Sequence, residues 1–384
     1  MSKGRSLALV TVRPRVVIAG LGDSGLLTAI RLSRFADVVG ISAKPALVSG
    51  QELGVRLARP TEWARDYLVP FDRFRGLDGV RTVQARLTGL DLAARTVHAR
   101  TPDGAEVAEH FDALVISTGV RNGFWRRPDL QTRAEIAGEL LAAHHRLASA
   151  RSVAVIGGGA AAVSAAANIA AQWPGARVDL YYPRERPLVE HHPRTWDHLR
   201  RRLIRLGVAL HPGHRATLPN GFAADTITTG PVSFGEAQPP AEADAVLWAI
   251  GRVHPNTEWL PPPLRDADGY VTVTTELRVP GHRGVFAIGD VAATDPQRSS
   301  ARNRADGLLA HNIRAELAGR PLRSYRAPRH RWGSVIGVQS DGVEVFAPNG
   351  RAYRIPRRAV DAVLIPLIVR RGIYRGIRLN RPLG

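Results

Sequence analysis

The chain has 384 residues, 44% of them hydrophobic and 23% charged, and it contains no cysteine. That length supplies two or three domains, and the missing thiols exclude a disulfide framework, a thiolate nucleophile, an iron–sulfur cluster and a dithiol redox centre. Basic residues outnumber acidic ones 53 to 34, a net charge of +19 carried almost wholly by arginine, since Lys3 and Lys44 are the two lysines. This charge favours anionic lipid or an acidic protein as a partner, and without a recognised binding motif no nucleic acid is expected.

In chain order, the basic start up to Arg15 has an apolar run too short to read as a signal peptide. No segment reaches the ~18–20 apolar residues that span a bilayer. A cytoplasmic protein, soluble or peripherally membrane-associated, is therefore expected. Arg15–Ala19 predicts a buried strand, followed by the turn Gly20-Leu21-Gly22-Asp23-Ser24-Gly25, a helix over Leu26–Phe35 and a second strand over Asp37–Ile41. The same pattern returns later. Ser152–Ile156 predicts a strand, Gly157-Gly158-Gly159-Ala160-Ala161-Ala162 a turn, Val163–Gln172 a helix and Arg177–Tyr182 a strand.

Both units have the dinucleotide-binding pattern. The first glycine makes the tight turn, the second lets backbone approach a pyrophosphate, and the third, or an alanine, lets helix and strand pack closely. The pyrophosphate then rests on the amide groups and dipole of the helix N-terminus. One such turn is a weak signal, whereas two in the same strand–turn–helix–strand context are a strong one.

Three further apolar strands end in small residues: Phe111–Gly119 in Thr118-Gly119, Ala243–Arg252 around Gly251, and Gly284–Asp290 in Gly289-Asp290. Ligands of open parallel sheets sit at such carboxyl ends. Residues 219–242 and 254–269 read as Pro/Gly-rich loops or hairpins, and 321–331 as an Arg/Pro-rich linker. The adjacent pairs His144-His145 and His191-His192, and His211 with His214 around Pro212-Gly213, lack metal-ligand spacing, so no metal is expected. In the tail, an apolar stretch from Ala359 to Val369, broken by Asp361 and Pro366, is flanked by arginines. It suits an anionic membrane surface. The alternative is that Val363, Leu364, Leu367 and Ile368 pack it onto the body or onto a second subunit, as in a homodimer.

With these motifs in this order, residues 13–320 resemble the two-dinucleotide-domain flavoproteins of the pyridine nucleotide–disulfide oxidoreductase superfamily. The branch is similar to type II NADH dehydrogenases and the apoptosis-inducing-factor-like quinone reductases. The resemblance implies FAD on the first turn and NADPH or NADH on the second. It places Gly20, Gly22 and Gly25 at the FAD pyrophosphate, Thr118 and Gly119 near the flavin, and Asp290, after Gly289, at its ribityl or pyrophosphate region. It places Gly157, Gly159 and Ala162 at the nicotinamide nucleotide, with Gly251 as a further cofactor-binding position. It also points the N-terminus of a helix over about 300–317 at the flavin ring.

The chain departs from the family's pattern in four places. The acid expected at the end of the second strand is replaced by Ser42, which keeps only hydrogen bonding toward the adenosine ribose. The matching position of the second unit is Tyr182, with Arg184 and Arg186 nearby, a composition that leans toward the 2′-phosphate of NADPH. Ser164 stands where relatives often carry a glutamate, and Asn168 at another position where they often show an acid.

The expected fold is α/β, two nested Rossmann-like dinucleotide-binding domains plus a small C-terminal segment. Residues 1–119 and 250–325 form a discontinuous FAD-binding domain, 120–249 an NAD(P)-binding domain, and 326–384 the C-terminal segment, packing or membrane-interface. The expected activity is FAD-dependent NAD(P)H oxidoreduction with a quinone or other electron acceptor, the catalysis centred on the flavin. Without cysteine it is not a disulfide reductase. Two alternatives stay open: a reductase of an acidic electron-transfer protein such as ferredoxin, and a non-catalytic nucleotide-binding regulatory protein of the same fold.

Overall fold

A computed structural model describes residues 13–49, 53–121, 127–218, 222, 224, 226–235, 238–251, 253–293, 305–326 and 333–378. Two five-stranded sheets organise the chain. In the first, the spatial order is Val285–Ala287, Ala113–Ile116, Arg15–Ala19, Asp37–Ser42 and Val80–Gln84, all parallel. Its central strands read as unbroken apolar runs because helices and loops cover both faces. Val16, Ile18, Leu26, Ile30 and Leu309 form a core on one face; Val17, Val39, Leu114 and Ile116 form one on the other. The central strand Arg15–Ala19 has neighbours reached by crossovers in opposite directions, the switch point at which such sheets hold ligands.

The second sheet runs Ala209–His211, Arg177–Tyr181, Ser152–Ile156, Ala241–Trp248 and Thr228–Val232, parallel except for the last strand, which pairs antiparallel as a hairpin. The hairpin alternative for 219–242 is the one realised, with Thr228–Val232 as its edge strand. The small-residue helix Ala160–Gln172 packs on this sheet, burying Ala162, Val163, Ala166 and Ile169 completely or nearly so. Alanines there let helix Leu53–Ala58 of the first unit approach so closely that a Cβ at Gly54 would overlap the Ser164 carbonyl. The C-terminal segment adds an antiparallel three-stranded sheet, Val338–Gln339, Gly342–Phe346 and Ala352–Pro356, whose Phe346 joins the second core.

Helix Arg133–Ala148 connects the two sheets. Its start is specified locally: the Thr132 hydroxyl accepts from the Glu135 amide at 3.2 Å, and Glu135 accepts from the Thr132 amide at 2.7 Å.

The tail divides in two. The wide helix Val360–Ile373, of π type and containing Pro366, leaves Val363, Leu367, Ile368 and Ile373 46–50% exposed. Tyr374 and Ile377 instead pack into the first core. No helix among the described residues is long and apolar enough to cross a membrane.

Candidate functional site

A cavity of about 550 Å³ opens at the carboxyl ends of the first sheet. Seven of the expected cofactor residues line it: Gly20, Gly22, Ser42, Thr118, Gly119, Gly289 and Asp290. Gly20 has φ +103°, and a Cβ there would sit 2.5 Å from the Ser117 carbonyl oxygen. Gly25 lies beneath the turn, where a Cβ would overlap the Gly20 carbonyl. Gly22 differs: nothing lies within 4 Å of a Cβ built on it. It is the N-cap of helix Asp23–Leu32 and offers no side chain of its own there, so backbone lines the cavity at the start of that helix. This is a cradle into which an anionic group fits, and the residues present suit the pyrophosphate of FAD.

The adjoining strand ends are braced. The Ser117 hydroxyl donates to the Gly20 carbonyl at 2.7 Å. The Thr118 hydroxyl donates to the Asn256 carbonyl at 2.7 Å, and Asn256 Nδ2 donates back to the Thr118 carbonyl at 3.0 Å. Gly119, at φ +65°, accepts from the Asn256 amide at 3.0 Å. Asn256 was not legible as a site residue, because nothing in its Pro-rich surroundings points to the partner strand.

Ser42 is engaged by its own loop, its hydroxyl accepting from the Lys44 amide at 3.1 Å. Lys44 itself lines the cavity, donating through Nζ to the Asp129 carbonyl and Gln131 Oε1 just ahead of the capped helix. Burial lowers its ammonium from the ordinary 10.5 to about 8. A cation thus stands two residues beyond the position of the missing acid. One of only two lysines in the chain was a signal that could have been read. Arg56 is a second cavity cation, 1% exposed, stacked 4.1 Å from the ring centroid of Trp63 and donating to the Ser49 carbonyl.

The second turn repeats the geometry on the other sheet. Gly157 has φ +145°, and a Cβ there would overlap the Ala249 carbonyl. Gly159 is open to 4 Å and caps its helix without a side-chain bond. Ala162 is fully buried below it. Tyr182 occupies the position matching Ser42, but its side chain is 3% exposed and edge-on to Trp196 at 6.0 Å. Its ring belongs to the core. Arg186 spends its guanidinium on the carbonyls of Leu188, Val189 and His191. Arg184 is exposed and makes no side-chain hydrogen bond or ion pair among the described residues. Gly251, at φ +71°, is exposed and lies outside the cavity lining.

Residues 300–304 of the helix expected over about 300–317 lie outside the described residues, which resume with the helix Ala305–Leu317. Asn168 is fully buried as a connector. It donates to the Ser164 and Ile336 carbonyls and accepts from Arg59 and Gln339. An aspartate could not make those two donations.

The profile of the pyridine nucleotide-disulphide oxidoreductase family matches residues 14–307. Demethylphylloquinone reductase NdbB of Synechocystis is 24% identical over 422 residues, spanning 98% of each chain. Ferroptosis suppressor protein 1 of Xenopus tropicalis is 24% identical over 328 residues, covering 81% of this chain and 83% of its own. Among solved structures, the water-forming NADH oxidase of Lactobacillus brevis superposes with a TM-score of 0.62 at 17% identity, over 86% of this chain and 74% of its own. That likeness concerns the fold.

Proposed function

The chain belongs to the pyridine nucleotide-disulphide oxidoreductase family, and from that premise we propose that it is an FAD-dependent NAD(P)H:quinone oxidoreductase working at an anionic membrane surface. The observation that carries the proposal is the pair of uncapped glycine turns, one of them opening into the cavity at the switch point of the first sheet. FAD held on the first turn would supply the hydride-accepting and electron-delivering chemistry that links the nicotinamide to the acceptor.

The chain's own part is binding, orientation and charge. Gly20, Gly22 and Gly25 shape the FAD turn, Thr118 and Gly119 present braced backbone, and Asp290 offers a carboxylate to the ribityl or pyrophosphate region. Gly157, Gly159 and Ala162 receive the nicotinamide nucleotide, with Arg184 available to a 2′-phosphate. The absence of cysteine leaves no dithiol to take the electrons within the chain. The quinone acceptor is supported by the relatives, among them a demethylphylloquinone reductase.

The membrane surface is supported by the tail. Exposed Val363, Leu367, Ile368 and Ile373 sit beside Arg358, Arg371 and Arg375, suiting an acyl boundary and anionic headgroups respectively. The test is anaerobic. The purified protein is expected to be yellow, to bleach with NADPH or NADH, and to recolour on adding a short-chain quinone. Vesicles of anionic lipid should bind it in a salt-sensitive way. A colourless protein that takes up no flavin overturns the enzyme reading. Recolouring by an acidic electron carrier but not by quinone replaces the acceptor.

A further inference from the structure

Asp23 stands in the first glycine turn, yet one donor to its carboxylate comes from the far end of the chain. The Tyr374 phenol lies 3.2 Å from Asp23 Oδ1, and the Ser49 hydroxyl donates at 3.1 Å. Tyr374 is 8% exposed, its ring edge-on to Phe74 with centroids 5.4 Å apart. Burial, reinforced by the Asp23 charge, raises the phenol well above its ordinary value, so it stays a donor at neutral pH. The backbone around it is stitched to the body. The Arg75 amide donates to the Gly376 carbonyl at 3.0 Å and the Arg378 amide to the Arg73 carbonyl at 2.8 Å. Arg370 pairs with Asp66 at 2.6 Å.

Asp23 immediately follows Gly22, the bare position of the cradle. A carboxylate there opposes the phosphate charges that the cradle otherwise attracts. Donors that fix it and share its charge reduce that opposition. We propose that Tyr374 is a positioning residue of the FAD site: its hydrogen bond holds the Asp23 carboxylate in an arrangement that admits the pyrophosphate, so the seating of the C-terminal tail and the binding of FAD reinforce each other. The proposal rests on the first turn being the FAD site. Reciprocity is a thermodynamic requirement: if the seated tail tightens FAD, FAD seats the tail.

The experiment is a double-mutant cycle on the full chain, stripped of flavin and titrated with FAD by fluorescence quenching. Tyr374→Phe keeps the ring that fills the core and removes only the donor. It should weaken FAD about tenfold, the scale of a hydrogen bond to a charged group. Asp23→Asn, which removes the opposing charge, should cost no affinity. Adding Tyr374→Phe to the Asp23→Asn chain should then leave the FAD Kd unchanged. As a second readout, FAD should slow tryptic cleavage at Arg371 and Arg375 in the unmodified chain and not in Tyr374→Phe. An unchanged Kd in Tyr374→Phe overturns the proposal, and so does an equal loss in both backgrounds, which would make the phenol a packing group only. If the unmodified chain binds no FAD, the reading of the first turn falls with it, an outcome distinct from FAD binding that ignores Tyr374.

Discussion

The two glycine turns are built to one plan and differ in how tightly they are closed. Both begin with a glycine in a left-handed conformation whose Cβ would strike the end of the neighbouring strand, and both present a second glycine to open space. At the third position the first turn has Gly25, with no room for a Cβ, while the second holds the buried methyl of Ala162. The first is also braced by the Ser117 hydroxyl and carries an acid, Asp23; the second has neither an acid in its first helical turn nor a hydroxyl at Ala249. The lesson is that a shared motif fixes the approach to the helix N-terminus, whereas its surroundings decide how much room and what charge each turn offers there.

The largest expected effect is at the third position. Gly25→Ala forces a methyl against the Gly20 carbonyl. It should cost stability by at least the ~1–3 kcal/mol of an overpacked core and release the flavin. The mirror change, Ala162→Gly, should cost only about 0.5–1 kcal/mol, the price of glycine in a helix. Thermal melts with flavin absorbance measure both, and equal costs would break the contrast.

Next in size is Gly157→Ala, which crowds the Ala249 carbonyl and forces an L-residue to φ +145°. The protein should remain yellow while its reduction by NADPH and NADH slows by about a hundredfold or more, the cost of about 3 kcal/mol. Stopped-flow bleaching is the measurement. Loss of flavin instead would mean that the turns are not independent.

Arg184→Ala sharpens the second turn alone. The KM for NADPH should rise about tenfold or more, the worth of a charge-assisted bond to phosphate, with the KM for NADH unchanged. A matched rise for both would remove Arg184 from the recognition of the 2′-phosphate.

The smallest effect belongs to Lys44. Its folded value near 8 lies below the ordinary 10.5 because burial disfavours the ammonium. Between those two values the unfolded chain binds more protons than the folded one, so the flavin-free protein should gain stability as pH rises from about 8 to 10.5. Lys44→Gln should flatten that slope in denaturant titrations. A slope that survives assigns it to other groups.

Much of the site was legible because its chemistry is local. A tight turn, a bare backbone and a helix N-terminus are contiguous in sequence, so the glycine spacing of 20–25 and 157–162 already described them. Tyr182 shows the limit: its place in the chain is that of a ribose-facing residue, but an aromatic ring beside Trp196 gains more from the core than from a polar edge. The tail shows another. Val363, Leu367 and Ile368 remain exposed while Tyr374, outside the apolar stretch, is buried.

What the sequence determined by itself was the pair of strand–turn–helix units, the small-residue strand ends and the exclusion of thiol chemistry. These rest on steric rules that act within a few residues. The tertiary structure alone decided that Lys44 is held by residues 129 and 131, that Asn256 braces Thr118, and that Tyr374 reaches Asp23. The partners of the first two lie on separate elements, and those of the last at opposite ends of the described chain. Such pairs form only where the packing of whole sheets and helices brings them together, and no periodicity or local propensity encodes that distance.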